Sequence, residues 1–78
     1  REQIVARLDD FFVLELDGNP IGSVAVHTYD DPDSGERIGE LACLFVRRAH
    51  KNRGHGQKLA TFAEDNARKR GCHRLVAL

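Results

Sequence analysis

The feature that most restricts the fold is an apolar segment that runs into a basic, glycine-containing loop and then a helix. Residues 38–46 (IGELACLFV) form a compact apolar run typical of a buried strand. Residues 47–55 are basic and lack periodicity, whereas residues 56–70 carry apolar side chains at helical spacing. That apolar stripe consists of Leu59, Phe62, Ala63 and Ala67. Because residues 74–78 begin another strand, this order predicts a crossover between two parallel strands.

The first half of the chain predicts a β-hairpin. Residues 11–16 (FFVLEL) and residues 21–29 are apolar runs. They are separated by the tetrapeptide DGNP, a strong turn signal. Two adjacent strands joined by so short a turn are expected to pair antiparallel.

Residues 1–10 are expected to be the end of an amphipathic helix, because Ile4, Val5 and Leu8 have helical spacing. With the hairpin and the crossover, this predicts one domain over residues 1–78 of the α/β (α+β) class. Its sheet would be mixed and mostly antiparallel, with flanking helices. The chain starts without Met and stops within an apolar run, so we expect a C-terminally truncated piece of a longer domain.

The charges are segregated along the chain although the formal net charge is zero. Residues 1–46 hold three arginines against ten acidic residues, and residues 47–78 hold nine basic residues against two acidic ones. No stretch approaches the roughly 18 apolar residues of a membrane-spanning helix, and the apolar content is too high for disorder. Two cysteines, Cys43 and Cys72, without a secretory leader indicate free thiols and a cytoplasmic location.

The basic loop has the properties of a phosphate site. Gly54 and Gly56 precede a helix whose first amide groups lack partners within the helix, and glycine permits consecutive N–H groups to converge on an anion. The helix dipole and the neighbouring basic side chains add positive potential. The segment lacks the spacing of a Walker loop and the third glycine of a dinucleotide fingerprint. A solvated basic loop with glycines that end the strand and begin the helix remains the alternative.

The sequence KNRGHG at residues 51–56 resembles the [Q/R]-x-x-G-x-[G/A] acetyl-CoA loop of the GNAT family of N-acetyltransferases. The strand IGELACLFV is similar to the G-E-L-A-C-L-x-V strand of the acetyltransferase domain of bacterial N-acetylglutamate synthases, and the hairpin FFVLELDGNPIGSVAV resembles the hairpin before it. Lys51 departs from the family's usual Arg or Gln. The resemblance implies a GNAT-type sheet, acetyl-CoA as cosubstrate and no metal. It further implies cofactor contacts from Cys43, Leu44, Phe45, Lys51, Asn52, Arg53, Gly54, His55, Gly56, Gln57 and Lys58.

The same resemblance implies direct acetyl transfer, in a ternary complex, to the α-amino group of an amino acid. L-Glutamate is the expected acceptor, as in arginine biosynthesis, with Glu40 as the general base. By strict alternation along the strand, Glu40 would share a face with Ile38, Ala42, Leu44 and Val46, and Cys43 would be a small buried residue on the other face. Without the resemblance, Glu40 is better explained as an acid at a strand end, either exposed or paired with an arginine such as Arg37.

Other functions stay open at this point. A GNAT enzyme could acetylate another amine, such as a different amino acid, a polyamine or a protein N-terminus. The basic residues 47–74 could instead bind nucleic acid, but they lack interleaved aromatic side chains for stacking. Zinc is not expected, since His50 and His55 are the only spaced pair and they lie in the loop. As partners, the resemblance implies a homo-oligomer or fusion to an amino-acid-kinase-like domain, and no membrane.

Overall fold

Five strands and one long helix make up the computed structural model, which describes residues 1–77. The elements are β1 (Glu2–Leu8), β2 (Phe11–Leu16), β3 (Asn19–Asp30), β4 (Arg37–Val46), α1 (His55–Lys69) and β5 (Arg74–Ala77), with a short 3₁₀ helix at Arg48–His50. The strands lie in the sheet in the order β1-β2-β3-β4-β5. The first three pairs are antiparallel, and β4 and β5 are parallel. The predicted mixed, mostly antiparallel sheet is therefore confirmed. Leu78, the last residue of the predicted final strand, lies outside the described residues.

The predicted helix at residues 1–10 is wrong, because this segment forms strand β1. Ile4 pairs with Leu14 and Val5 with Val13, so the two β-branched residues point to opposite faces of a sheet. Leu8, the third member of the supposed helical stripe, is 73% exposed. Pairing with β2 therefore outweighs a periodicity that spans too few residues to specify a helix.

The predicted hairpin is confirmed as β2 and β3. Asp17 and Gly18 form its turn, both with positive φ (52° and 83°). Positive φ at both central residues gives a turn whose twist matches that of the flanking strands.

The core lies between one face of the sheet and α1, which packs across β3 and β4. Leu59, Ala63 and Ala67 of the predicted apolar stripe are fully buried, and Phe62 is half-buried. Gly39 allows the close approach of helix and sheet, because a Cβ at this position would lie 2.9 Å from the Cβ of Ala67. The sheet residues of this core are Leu14, Ile21, Val24 and Val26.

The C-terminal end of α1 is fixed to the sheet by Arg70. Its guanidinium donates to Asp10 Oδ1 at 2.5 Å, to Asn66 Oδ1 at 3.1 Å and to Thr28 Oγ1 at 3.3 Å. Gly71, with φ of 83°, ends the helix in the left-handed conformation. With this end anchored, the opposite end of α1 is positioned beside the end of β4.

Candidate functional site

A β-bulge interrupts β4 just before the basic loop. Ala42 pairs with Ala25 of β3, but the next pair is Phe45 with Ser23. Two residues of β4, Cys43 and Leu44, therefore lie opposite one residue of β3, which defines a bulge. Cys43 has φ of 55°, in the left-handed region that residues other than glycine rarely adopt.

The bulge reverses the side-chain alternation of β4. The predicted strict alternation along residues 38–46 is therefore wrong for the residues after the bulge. Gly39 faces α1, so Glu40 points to the opposite face of the sheet. Beyond the bulge, Val46 packs against the core beside α1 instead of sharing the face of Glu40. Ser23 lies on the same face of the sheet as Ala25, the partner of Ala42. Phe45 pairs with Ser23 and therefore shares the face of Glu40. Cys43, predicted to be buried, is exposed.

The edge of β4 is open along the bulge. Over the described residues, β5 pairs only with Ile38–Leu41 of β4. Leu44 and Phe45 are consequently large apolar side chains left 51% and 58% exposed. A bulged segment with an unpaired edge offers main-chain N–H and C=O groups to an extended ligand.

The basic loop begins with a fixed residue and reaches α1 through two left-handed positions. Arg47 donates its main-chain N–H to the Ile21 carbonyl at 2.8 Å and its Nε–H to the Pro20 carbonyl at 2.7 Å. Asn52 and Gly54 then have φ of 64° and 82°. Gly54 is the N-cap residue, and no side chain of the described residues caps the helix, so the first amide groups of α1 have neither a helical nor a capping partner there.

A cavity of about 340 Å³ lies between the bulge and the first turn of α1. Six of the predicted cofactor residues line it, and two further residues, Val46 and His50, complete the wall. Five predicted residues lie outside the lining. The predicted residues in the wall are Leu44, Phe45, Lys51, Asn52, His55 and Gly56. Those outside it are Cys43, Arg53, Gly54, Gln57 and Lys58.

The cavity wall contains two histidines whose ring centroids are 6.2 Å apart. The Nδ1 atoms of His50 and His55 are both buried and have no hydrogen-bond partner within the described chain. Buried polar atoms are usually hydrogen-bonded, so these two atoms are available to a ligand or to an ordered water. His50 was not predicted as a site residue. The sequence feature that could have identified His50 is its position five residues before His55 in the same basic loop.

An acidic side chain from β1 enters this basic region. Glu2 accepts hydrogen bonds from Lys58 Nζ at 2.5 and 2.8 Å, and its Oε1 lies 3.7 Å from His55 Nδ1. The hydrogen bond from Lys58 holds the pKa of Glu2 below its ordinary value of 4.5. Lys58, a predicted phosphate ligand, is therefore already paired with a carboxylate.

Glu40 is half-buried in the centre of β4 and does not line the cavity. It pairs across the sheet with His27 of β3 and with Val76 of β5. The alternative of an ion pair with Arg37 is not what forms, because Arg37 contacts Asp30 at 3.2 Å. Glu40 shares one face of the sheet with Phe45, which lines the cavity. Both residues belong to β4.

Residues 1–77 contain no group of three side chains arranged to hold a metal ion. Among the same residues, no helix has the length and apolar character required to cross a membrane.

Comparison with known proteins identifies relatives along the whole sequence. The profile of the acetyltransferase (GNAT) family matches residues 2–78. The amino-acid acetyltransferase of Neisseria meningitidis serogroup A is 37% identical over all 78 residues, and that of Serratia proteamaculans is 31% identical. The chain spans 17% of the length of each of these two relatives.

Solved structures agree with this result. N-acetylglutamate synthase from Neisseria gonorrhoeae, complexed with coenzyme A and N-acetyl-glutamate, superposes with a TM-score of 0.78 and 39% identity, over 88% of this chain and 15% of that one. Glucosamine-6-phosphate N-acetyltransferase from Arabidopsis thaliana has a TM-score of 0.81 at 19% identity, over 90% of this chain and 51% of that one. The second likeness concerns the fold alone.

Proposed function

The chain belongs to the acetyltransferase (GNAT) family, and from this premise we propose that it transfers an acetyl group from acetyl-CoA to the α-amino group of an amino acid. We propose L-glutamate as the acceptor. The relatives named amino-acid acetyltransferase and the synthase crystallised with coenzyme A and N-acetyl-glutamate support this choice over other amines.

The observation that carries the proposal is the cavity between the bulge and α1. One part of its wall is apolar, formed by Leu44, Phe45 and Val46. The other part is basic or polar and includes Lys51 and the first turn of α1. A cofactor with a long, weakly polar arm and a pyrophosphate group requires this combination of walls. The volume of about 340 Å³ is at the lower end of the usual range for ligand pockets.

The phosphate groups of the cofactor are assigned to the amides of residues 53–57, because the Lys58 N–H already donates to the Gly54 carbonyl at 3.1 Å. Gly54 has no side chain that would cover these N–H groups, and its φ of 82° turns the chain into the helix. The positive end of the helix dipole lies at the same point. The buried Nδ1 atoms of His50 and His55, which have no hydrogen-bond partner among residues 1–77, supply further polar groups.

The pantetheine arm is assigned to the open edge of β4. Main-chain groups of Cys43, Leu44 and Phe45 would bind it as an additional strand binds a sheet edge. One N–H group at the bulge would also polarise the thioester carbonyl. Comparable donors in oxyanion sites contribute about 3–4 kcal/mol.

Glu40 is the proposed general base. It removes a proton from the ammonium group of the acceptor, so that the neutral nitrogen becomes the nucleophile. Glu40 lies on the same sheet face as Phe45 of the cavity wall. This arrangement supports the base assignment because the carboxylate and the main-chain groups assigned to the arm belong to the same strand, β4.

The test is acetyl transfer from acetyl-CoA to a panel of amines, with products identified by mass spectrometry. The panel contains glutamate, other amino acids, a polyamine and a peptide with a free N-terminus. We expect N-acetylglutamate as the main product. Activity on another amine but not on glutamate would overturn the acceptor assignment, and no transfer to any amine would overturn the activity.

The base is tested by Glu40→Gln, which keeps the shape of the side chain and removes its basicity. We expect the rate to fall by about 10²–10⁴-fold, as for other general bases. Glu64→Gln is the matched control, since Glu64 is exposed on α1 and should leave the rate unchanged. Full activity of Glu40→Gln would eliminate Glu40 as the base.

A further inference from the structure

One carboxylate lies within the positive region at the start of α1. Residues 47–63 contain no acidic residue, so the negative charge comes from elsewhere in the chain. Glu2 of β1 supplies it, with Lys58 Nζ 2.5 Å from Oε2 and 2.8 Å from Oε1. The folded sheet therefore brings residue 2 to the positive end of a helix that begins at residue 55.

Glu2 is well placed to weaken the attraction of an external anion. Its side chain is 24% exposed, which is less than the 59% of Lys58. It also lies 3.7 Å from Nδ1 of His55, and His55 lines the cavity. The Glu2 carboxylate is thus separated from the cavity only by the side chain of His55.

We propose that Glu2 acts as an internal counter-anion, which engages Lys58 and lowers the affinity of the cavity for phosphate-bearing ligands. The inference rests on the proposed function, because it concerns the same cofactor-phosphate site. A carboxylate that accepts two hydrogen bonds from Lys58 competes with a ligand phosphate for the same ammonium protons. Its charge also repels the phosphates from within a Debye length.

The variant Glu2→Gln removes the charge and keeps the size of the side chain. We expect it to bind CoA about three- to tenfold more tightly than the wild-type chain at low ionic strength, measured by isothermal titration calorimetry. The gain should shrink as salt is added. Pantetheine, which carries no phosphate, should bind both proteins equally.

Glu36→Gln is the matched control because Glu36 also faces a cation, Arg74, at 3.8 Å. Glu36 precedes β4, whereas the cavity lies at the other end of that strand. Seven residues of β4, residues 37–43, lie between Glu36 and the nearest lining residue, Leu44, which corresponds to roughly 25 Å. We therefore expect Glu36→Gln to have the wild-type affinity for CoA, although it changes the net charge equally.

A double-mutant cycle tests the role of Lys58. Lys58→Met should weaken CoA binding by a larger factor in the Glu2→Gln background than in the wild-type background, because only there is the ammonium free for the ligand. Equal factors, or no gain in Glu2→Gln, would overturn the inference. If neither protein binds CoA, the proposed function fails. A titration with inorganic pyrophosphate then decides whether Glu2→Gln still binds the anion more tightly, as the inference requires.

Discussion

Gly22 lies between the core and the candidate site. It pairs with Val46 at the end of β4. A Cβ placed on Gly22 would lie 2.8 Å from the carbonyl oxygen of Phe45 and 3.0 Å from Leu59 Cδ1. Real Cβ atoms essentially never come within 3.0 Å of such a neighbour. The contact with Phe45 is to the main chain, so a rotamer change of that side chain cannot relieve it.

We predict that Gly22→Ala destabilises the fold and distorts the cavity. Overpacking of this kind costs about 1–3 kcal/mol. In a chain of this size each kcal/mol lowers Tm by about 4–8 °C. Since the carbonyl of Phe45 must move, the bulge that forms one wall of the cavity moves with it. We expect the affinity for CoA to fall by about tenfold or more, equivalent to about 1.4 kcal/mol.

Gly39→Ala provides a matched control for this prediction. A Cβ on Gly39 would lie 2.9 Å from Ala67 Cβ, 2.9 Å from Leu75 Cδ2 and 3.2 Å from Cys72 Sγ, and none of these residues lines the cavity. Urea denaturation and calorimetric titration with CoA should therefore show a comparable loss of stability in both variants. Only Gly22→Ala should lose affinity under conditions where both are folded. Equal affinities, or a Gly22→Ala variant as stable as the wild type, would show that Gly22 does not couple the core to the cavity wall.

Further predictions concern the core, the bulge and the acidic pH range. Leu59→Ala, at a fully buried position, should lower the free energy of unfolding in urea by about 2–5 kcal/mol. Because Cys43 is exposed and Cys72 is half-buried, a thiol reagent should label Cys43 first in the native protein. Cys43→Gly, which removes the Cβ from a residue with φ of 55°, should raise stability by about 1–2 kcal/mol; a loss would contradict this. Glu2 has a lowered pKa when folded, so its contribution to stability is present above its unfolded pKa and is lost as the pH falls through the folded pKa. In acid titrations followed by circular dichroism, Glu2→Gln should therefore have a shallower loss of stability below about pH 4.5 than the wild type.

Much of the architecture follows from local sequence patterns. The predicted hairpin turn and the predicted apolar stripe of α1 match the structure, since each depends on residues close together in the chain. β1 could not be predicted in this way. Its conformation is determined by pairing with β2, and seven residues are too few to distinguish the periodicities of helix and strand.

In the candidate site, too, only the features determined by neighbouring residues in the chain could be predicted from the sequence. The loop could be located from its glycines and its charges, because glycines and basic residues before a helix favour anion binding. The bulge could not, since Cys43 has no intrinsic preference for a positive φ, and one inserted residue reverses every side chain that follows. The contact between Glu2 and Lys58 spans 56 positions in the sequence and depends on the tertiary fold.

Binding of CoA between the bulge and α1 is measured most directly by titrating the ¹⁵N-labelled chain with CoA and following the NMR shifts of its amide groups. We expect the largest shifts at residues 43–45 in the bulge and at residues 53–58 in the loop and first turn of α1, while the amides of β1 and β2 change little apart from Glu2. Shifts concentrated instead at Arg68, Lys69 and Arg70, the basic end of α1, would contradict this binding site, as would the absence of any change on saturation with CoA.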